Sequence, residues 1–252
     1  PYISTRKVEG DIHINQGSIS SRSSASNYAL TNTISSLIEI RGVGLGKTSF
    51  KRRIHSSFLI AISYLKTASE HMNLVKDEIE IATAQTNDVV LEYNRGIYKD
   101  SVQFIDINTN EYVQFEMTVR DAWKAEAKLT RVRPKAYIIE ANQTEIIQKL
   151  QTLGVKIEFL EEDKTYKVET YEVASLHRKP IRYEKMKLQT VEANLKKEEK
   201  TFNKGTAIVM MNQRRANIAA EVLEPEAPNS FVSFGILKTN KGETLPIYRL
   251  LN

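Results

Sequence analysis

Residues 35–68, SSLIEIRGVGLGKTSFKRRIHSSFLIAISYLKTA, set the reading of the whole chain. Ile34, Leu37, Ile38 and Ile40 form an apolar run too short for a helix and rich in β-branched residues, which predicts a buried strand. Gly42, Gly44 and Gly46 follow, and glycine tolerates the positive-φ turns that a sharp strand exit needs. Thr48 or Ser49 is placed to cap a helix. Phe50, Ile54, Phe58, Ile62 and Leu65 then recur at helical spacing and give that helix one apolar face. Glu39 stands out inside the apolar run, two residues before Arg41. A carboxylate there is costly to bury unless it is paired or neutral, so it points outward, pairs with an arginine, or marks a site.

The rest of the 252-residue chain fits one large or two modest domains. Its hydrophobic content of 41% and charged content of 27% are ordinary for a globular protein. No run of 18 apolar residues exists, which predicts no membrane-spanning helix. The net charge of +5 comes from basic residues scattered among many acids, the pattern of a solvated surface, so no nucleic-acid partner is expected. There are no cysteines, which excludes disulfides, thiolate metal sites and cysteine nucleophiles.

Residues 1–33 are polar, with a serine run over 18–26 that reads as a loop bordering the strand of Glu39. Arg22 and Tyr28 are the notable side chains there. A guanidinium fork suits a carboxylate, and a tyrosine hydroxyl can cover a bound peptide. Beyond residue 50 the helical stripe continues through Ala68, Met72, Val75, Ile79 and Ala82, predicting a helix to about Ala84, straight or bent midway. Lys51, Arg52 and Arg53 lie in its first turn, the wrong end for cations in the helix dipole, which predicts partners of their own. The character changes near Asn87, and a domain boundary is expected there, between 1–86 and 87–252. VVLEY, SVQFIDI, YVQFEMTV and AEAKLTRV alternate as strands, with turns at Asn94-Arg95-Gly96 and Asn108-Thr109-Asn110. KAYIIEA, the helix TEIIQKLQTLG closed by Gly154, and VKIEFLEED form a β-α-β unit with parallel strands. Long strands follow to GTAIVMM, then a helix capped by Asn212 and stopped at Glu224-Pro225. SFVSFGIL is expected to close the domain as a strand.

Two families are suggested by these residues. Gly46-Lys47-Thr48, between strand and helix, resembles the end of a phosphate-binding P-loop, although its first glycine would fall at Arg41. Glu39-Ile40-Arg41-Gly42-Val43-Gly44 is similar to the Glu-Leu-Arg-Asp-x-Gly strand of the zinc carboxypeptidases, the carboxypeptidase A-like metallopeptidases, with Gly42 in place of Asp. Other patches agree in order with large bacterial members. They are Arg22 through Asn27-Tyr28, then Leu30 and SSLIE, and far downstream MMNQRRANIAAEVLEPEAPNSF, like a carboxy-terminal Leu-Glu-Pro-Glu segment.

The second resemblance implies an α/β fold. Residues 1–86 would close a zinc carboxypeptidase-like α/β domain, and 87–252 would form a β-rich accessory domain with the β-α-β unit. It implies a secreted or periplasmic bacterial enzyme that hydrolyses peptide bonds with one zinc. Glu39 would be the general base, and Arg22, Tyr28 and Arg41 the substrate-binding groups. The family's metal ligands, His-x-x-Glu and a later histidine, lie upstream of its glutamate. Here the upstream segment offers only His13, with Glu9 and Asp11 nearby. His55, His71 and His177 read as surface or packing residues, the last in a loop. No metal ligands are therefore expected in this chain. Its partners would be a peptide substrate and the upstream peptidase half of the same precursor, and alone it should be inactive. A P-loop-like nucleotide-binding protein or a non-catalytic binding module are the alternatives.

Overall fold

The computed structural model describes residues 4–8, 10–18, 20–42 and 44–251. It is a mixed α/β chain with two sheets. The elements run β1 (Ser4–Val8), β2 (Asp11–Gln16), α1 (Ser24–Ala29), a 3-10 turn (Gly46–Ser49), α2 (Phe50–Glu70), α3 (Met72–Ala84), β3 (Val89–Ile105), β4 (Tyr112–Arg131), β5 (Ala136–Ile139), α4 (Thr144–Thr152), β6 (Glu158–Phe159), β7 (Lys164–Arg178), β8 (Gln189–Phe202), β9 (Ala207–Met210), α5 (Ala216–Leu223) and β10 (Thr244–Leu250). The chain forms two compact units that interleave along the sequence. One is Pro1–Ser20, Ser35–Glu80 and Tyr93–Glu126. The other is Ser21–Ile34, Ile81–Glu92 and Ala127–Asn252. No described helix is long and apolar enough to cross a membrane.

The second unit is built on a six-stranded sheet in the order β6-β9-β5-β10-β7-β8. All its neighbouring strands run antiparallel. β5 and β6 are therefore parallel to each other, as the β-α-β pattern predicts, but β9 lies between them. β5 has every side chain buried. Alternation along it sends Tyr137 and Ile139 into the core shared with α4 and α5, and Ala136 and Ile138 into a cluster with Phe202 and Tyr248. α4 contributes Ile146, Ile147 and Leu150 to the larger core, and α5 contributes Ile218, Ala219 and Leu223. Gly154 takes φ +75 just beyond α4, the left-handed stop its sequence predicts.

Two expectations fail in this unit. SFVSFGIL is not a strand, because Ser230 and Ser233 bond each other and the carbonyls of Pro225 and Ala227, folding the segment into buried turns. The closing strand is β10, a central one, whose Pro246 masks its pattern. Asn212 does not cap α5; Arg215 occupies that position.

The first unit carries the sheet β1-β2-β4-β3, with β1 and β2 antiparallel and β2 parallel to β4. Its described core is small: Ile14, Met117 and Val119, with Tyr98, Val102 and Phe104 against them. The expected turn at Asn94-Arg95-Gly96 is absent, and β3 runs straight through it. Gly96 is needed there because a Cβ would come within 2.7 Å of the Lys124 backbone oxygen. The predicted long helix spans 50–84 and breaks at His71 into α2 and α3. Neither helix buries a single side chain.

The strand expected around Glu39 is not formed. Residues 33–42 carry no strand or helix, and Ile34, Leu37 and Ile38 are exposed. A strand exists only where a neighbour completes its ladder, and among the described residues none lies alongside this segment.

Candidate active site

Glu39 sits on that segment, outside any helix or strand, as an exposed carboxylate. Arg41, also exposed, follows it into the glycine-rich loop. The two arginines that oppose the helix dipole find their partners here, in carbonyls rather than acids. Arg52 Nη2 donates to the Arg41 carbonyl at 2.8 Å, and Arg53 Nη2 to that of Gly46 at 3.4 Å. The Arg53 side chain lies close over Gly42, where a Cβ would fall 2.5 Å from its guanidinium and the arginine would have to shift. Gly44 and Gly46 adopt φ +75 and +51. Thr48 Oγ1 donates to the Leu45 carbonyl at 2.5 Å. Val43 lies outside the described residues. A P-loop needs a strand feeding a ring of free amides. Among the described residues this loop has no strand before it, and the Thr48 hydroxyl is engaged by the Leu45 carbonyl, two features that differ from a P-loop.

Arg22 and Tyr28 belong to the other compact unit. Their segment is pinned at both ends. At the first end, Ser21 Oγ donates to Glu221 and accepts from Asn229 Nδ2 at 2.6 Å. Arg22 pairs with Glu184 at 2.5 Å and stacks between the rings of Tyr183 and Phe234, 5.1 and 5.2 Å from their centroids. At the other end, Arg214 donates to the Thr31 carbonyl at 3.1 Å and to Thr33 Oγ1 at 3.0 Å. Between these anchors α1 carries Tyr28, 62% exposed. Arg22 thus serves its own chain's carboxylate and rings, while Tyr28 faces outward.

The Leu-Glu-Pro-Glu motif has a structural place. Glu224 is 0% exposed at the end of α5. It accepts from the Tyr137 hydroxyl at 2.8 Å and lies 3.3 Å from Arg249 Nε. Arg249, 2% exposed on β10, also donates to Glu169 at 2.7 Å and to the Val132 carbonyl. Glu226 pairs with Arg131. Burial pushes the Glu224 carboxyl above its usual range, against the pull of Arg249. None of these partners is legible locally, because they meet only when α5, β5, β7 and β10 converge.

A zinc site is not assembled by the described residues. No three His, Asp or Glu side chains cluster among them. His13 lies on β2 with Nδ1 buried and unpartnered, and Asp11 is engaged by Thr118 Oγ1 at 2.8 Å. Glu9 lies outside the described residues. His55 lies within α2 and His71 at its end. His177 is on β7, paired with Thr190, not in a loop.

The chain is 32% identical over 225 residues to carboxypeptidase 2 of Trichophyton rubrum, covering 88% of the chain and 42% of that relative. It is 33% identical over 227 residues to carboxypeptidase 2 of Trichophyton equinum, with the same coverage. A probable carboxypeptidase 2 of Trichophyton verrucosum is 30% identical over 199 residues. The chain is thus similar to these carboxypeptidases over most of its own length. It spans about two fifths of the length of these curated relatives. The relatives are fungal and do not bear out the bacterial source that the motifs suggested. No family model and no solved structure matches the chain.

Proposed function

We propose that the chain is the portion of a zinc carboxypeptidase that carries the general base and part of the substrate-binding surface. The observation that supports this most is the likeness to carboxypeptidase 2 across 88% of the chain. In this reading residues 1–86 are the peptidase portion. Glu39 takes a proton from the attacking water and delivers it to the leaving amine. Tyr28 covers the bound peptide, Arg22 holds Tyr28's segment in place as well as facing substrate, and Arg41 keeps Glu39 in orientation. The metal ligands do not fit the described residues of this chain, so the remaining portion of the peptidase supplies them, and no step here runs through the metal.

The state of the first unit is consistent with an absent companion. A general base works best partly desolvated, yet Glu39 and its neighbours Leu37 and Ile38 are exposed among the described residues. α2 exposes Phe50, Ile54, Phe58, Ile62 and Leu65, the stripe that its periodicity marks for burial. The companion's apolar surface would cover both.

The test is release of carboxy-terminal amino acids from an unblocked peptide, with added zinc, by the purified chain. No turnover is expected, together with no zinc retained after dialysis. Turnover above the rate of a Glu39→Gln variant, or near one zinc bound per chain, would overturn the assignment of the metal site to another portion.

A further inference from the structure

Beneath the pinned segment of residues 21–34 lies a cavity of about 220 Å³, room for about seven waters at ~30 Å³ each. Leu30, Leu153, Ile218 and Val222 give it apolar walls. Two charged groups also line it, and their situations differ. Arg22 is balanced by Glu184 and stacked between two rings. Glu221, partly buried on α5, receives only neutral donors, the Ser21 hydroxyl and the Asn229 amide at 2.9 Å. Among the described residues no lysine or arginine pairs with it. A carboxylate withdrawn from water beside apolar walls retains a deficit that neutral hydrogen bonds reduce but do not cancel, and a cation would cancel it. Burial also raises its pKa, in keeping with the missing countercharge. Asn27 adds to the polar side of the wall: its amide nitrogen donates to the Ser21 carbonyl at 3.4 Å, which leaves its oxygen as an acceptor.

We propose that this cavity binds a small apolar primary ammonium ion, its head on Glu221 and Asn27 and its tail among Leu30, Leu153, Ile218 and Val222. An ammonium has three donors and no acceptor, which suits a wall of one carboxylate and one amide oxygen. The volume admits a tail of leucine size and little more. Free amino acids, peptide amino termini and simple amines all offer this chemistry. The inference does not depend on the peptidase reading, because it rests on the charge balance of the cavity alone.

The test is calorimetric titration of the whole chain with isoamylamine, L-leucine and L-leucinamide, and with 4-methylvalerate, which keeps the tail and reverses the charge. Isoamylamine is expected to bind and 4-methylvalerate not to. Glu221→Gln should weaken the amine by about tenfold or more. Asn27→Asp, which adds a second carboxylate and keeps the shape, should strengthen it. Leucine binding alongside the amine would identify free amino acids as a source. Leucinamide without leucine would point to amino termini or simple amines. No isoamylamine heat at about 10 mM, or equal affinity in folded Glu221→Gln, or tighter binding of 4-methylvalerate, would overturn the proposal.

Discussion

The two compact units spend their apolar residues differently. In the second, α4 and α5 pack on a six-stranded sheet, and Tyr137, Leu150, Leu223 and Ile247 reach 0% exposure. Even its buried charges are organised, with Arg249 serving Glu169 and Glu224 together. In the first, a 21-residue amphipathic helix buries nothing, and Leu65 stands 68% exposed. An apolar face at helical spacing is a demand for a partner, and the sequence states the demand without saying who meets it. The same contrast separates the two acids that sequence patterns single out. Glu224 is withdrawn into a network, whereas Glu39 lies open on a segment whose ladder is missing.

The sharpest way to break this comparison is Arg249→Met. It leaves Glu169 and Glu224 without their shared cation in the core. We expect a loss of roughly 3–5 kcal/mol from the second unit, read as a fall in the urea midpoint. Adding Glu224→Gln should recover part of it. A loss below about 1 kcal/mol would mean that the network is hydrated and the unit less closed than it looks.

A smaller effect concerns pH. Burial raises the folded-state pKa of Glu221 above its ordinary 4.5. The folded chain then holds this proton more tightly than the unfolded chain does. The stability linked to it is full below about pH 4.5 and is lost as pH rises through the raised value. Glu140 has the opposite sign: its pKa is lowered, with Tyr248 and Lys200 bonded to its carboxylate, so its contribution is lost as pH falls. Glu221→Gln should therefore flatten the decline in urea midpoint above pH 4.5 and leave the acid limb unchanged. An unaltered slope above pH 4.5 would show that Glu221 is solvated.

The least effect is expected on α2. Phe58→Ser and Ile62→Ser remove apolar area that is already exposed, so the isolated chain should change by no more than ~0.5 kcal/mol. A loss near 2 kcal/mol would show the face covered in solution by another copy, and the midpoint would then depend on protein concentration.

Much of the second unit could be read directly from local pattern. The β-α-β segment, Gly154 as a helix stop and the alternating β7 and β8 all follow from periodicity and turn chemistry, which act over a few residues. The same rules located α2 and α3 to within a residue or two and made Glu39 conspicuous. They misread 34–40 as a strand, because a strand is completed by a neighbour that local pattern does not contain. They missed β10, whose Pro246 hides a central strand, and they singled out Arg22 without revealing its contacts with Glu184, Tyr183 and Phe234. The anchors of α1, the Arg249 network and the uncompensated charge of Glu221 depend on residues far apart in the chain. The sequence by itself determined which segments are helical or extended and which faces need cover. Only the tertiary structure decided which charges are paired and which apolar faces are met, because pairing and burial depend on distance in space and not on spacing along the chain.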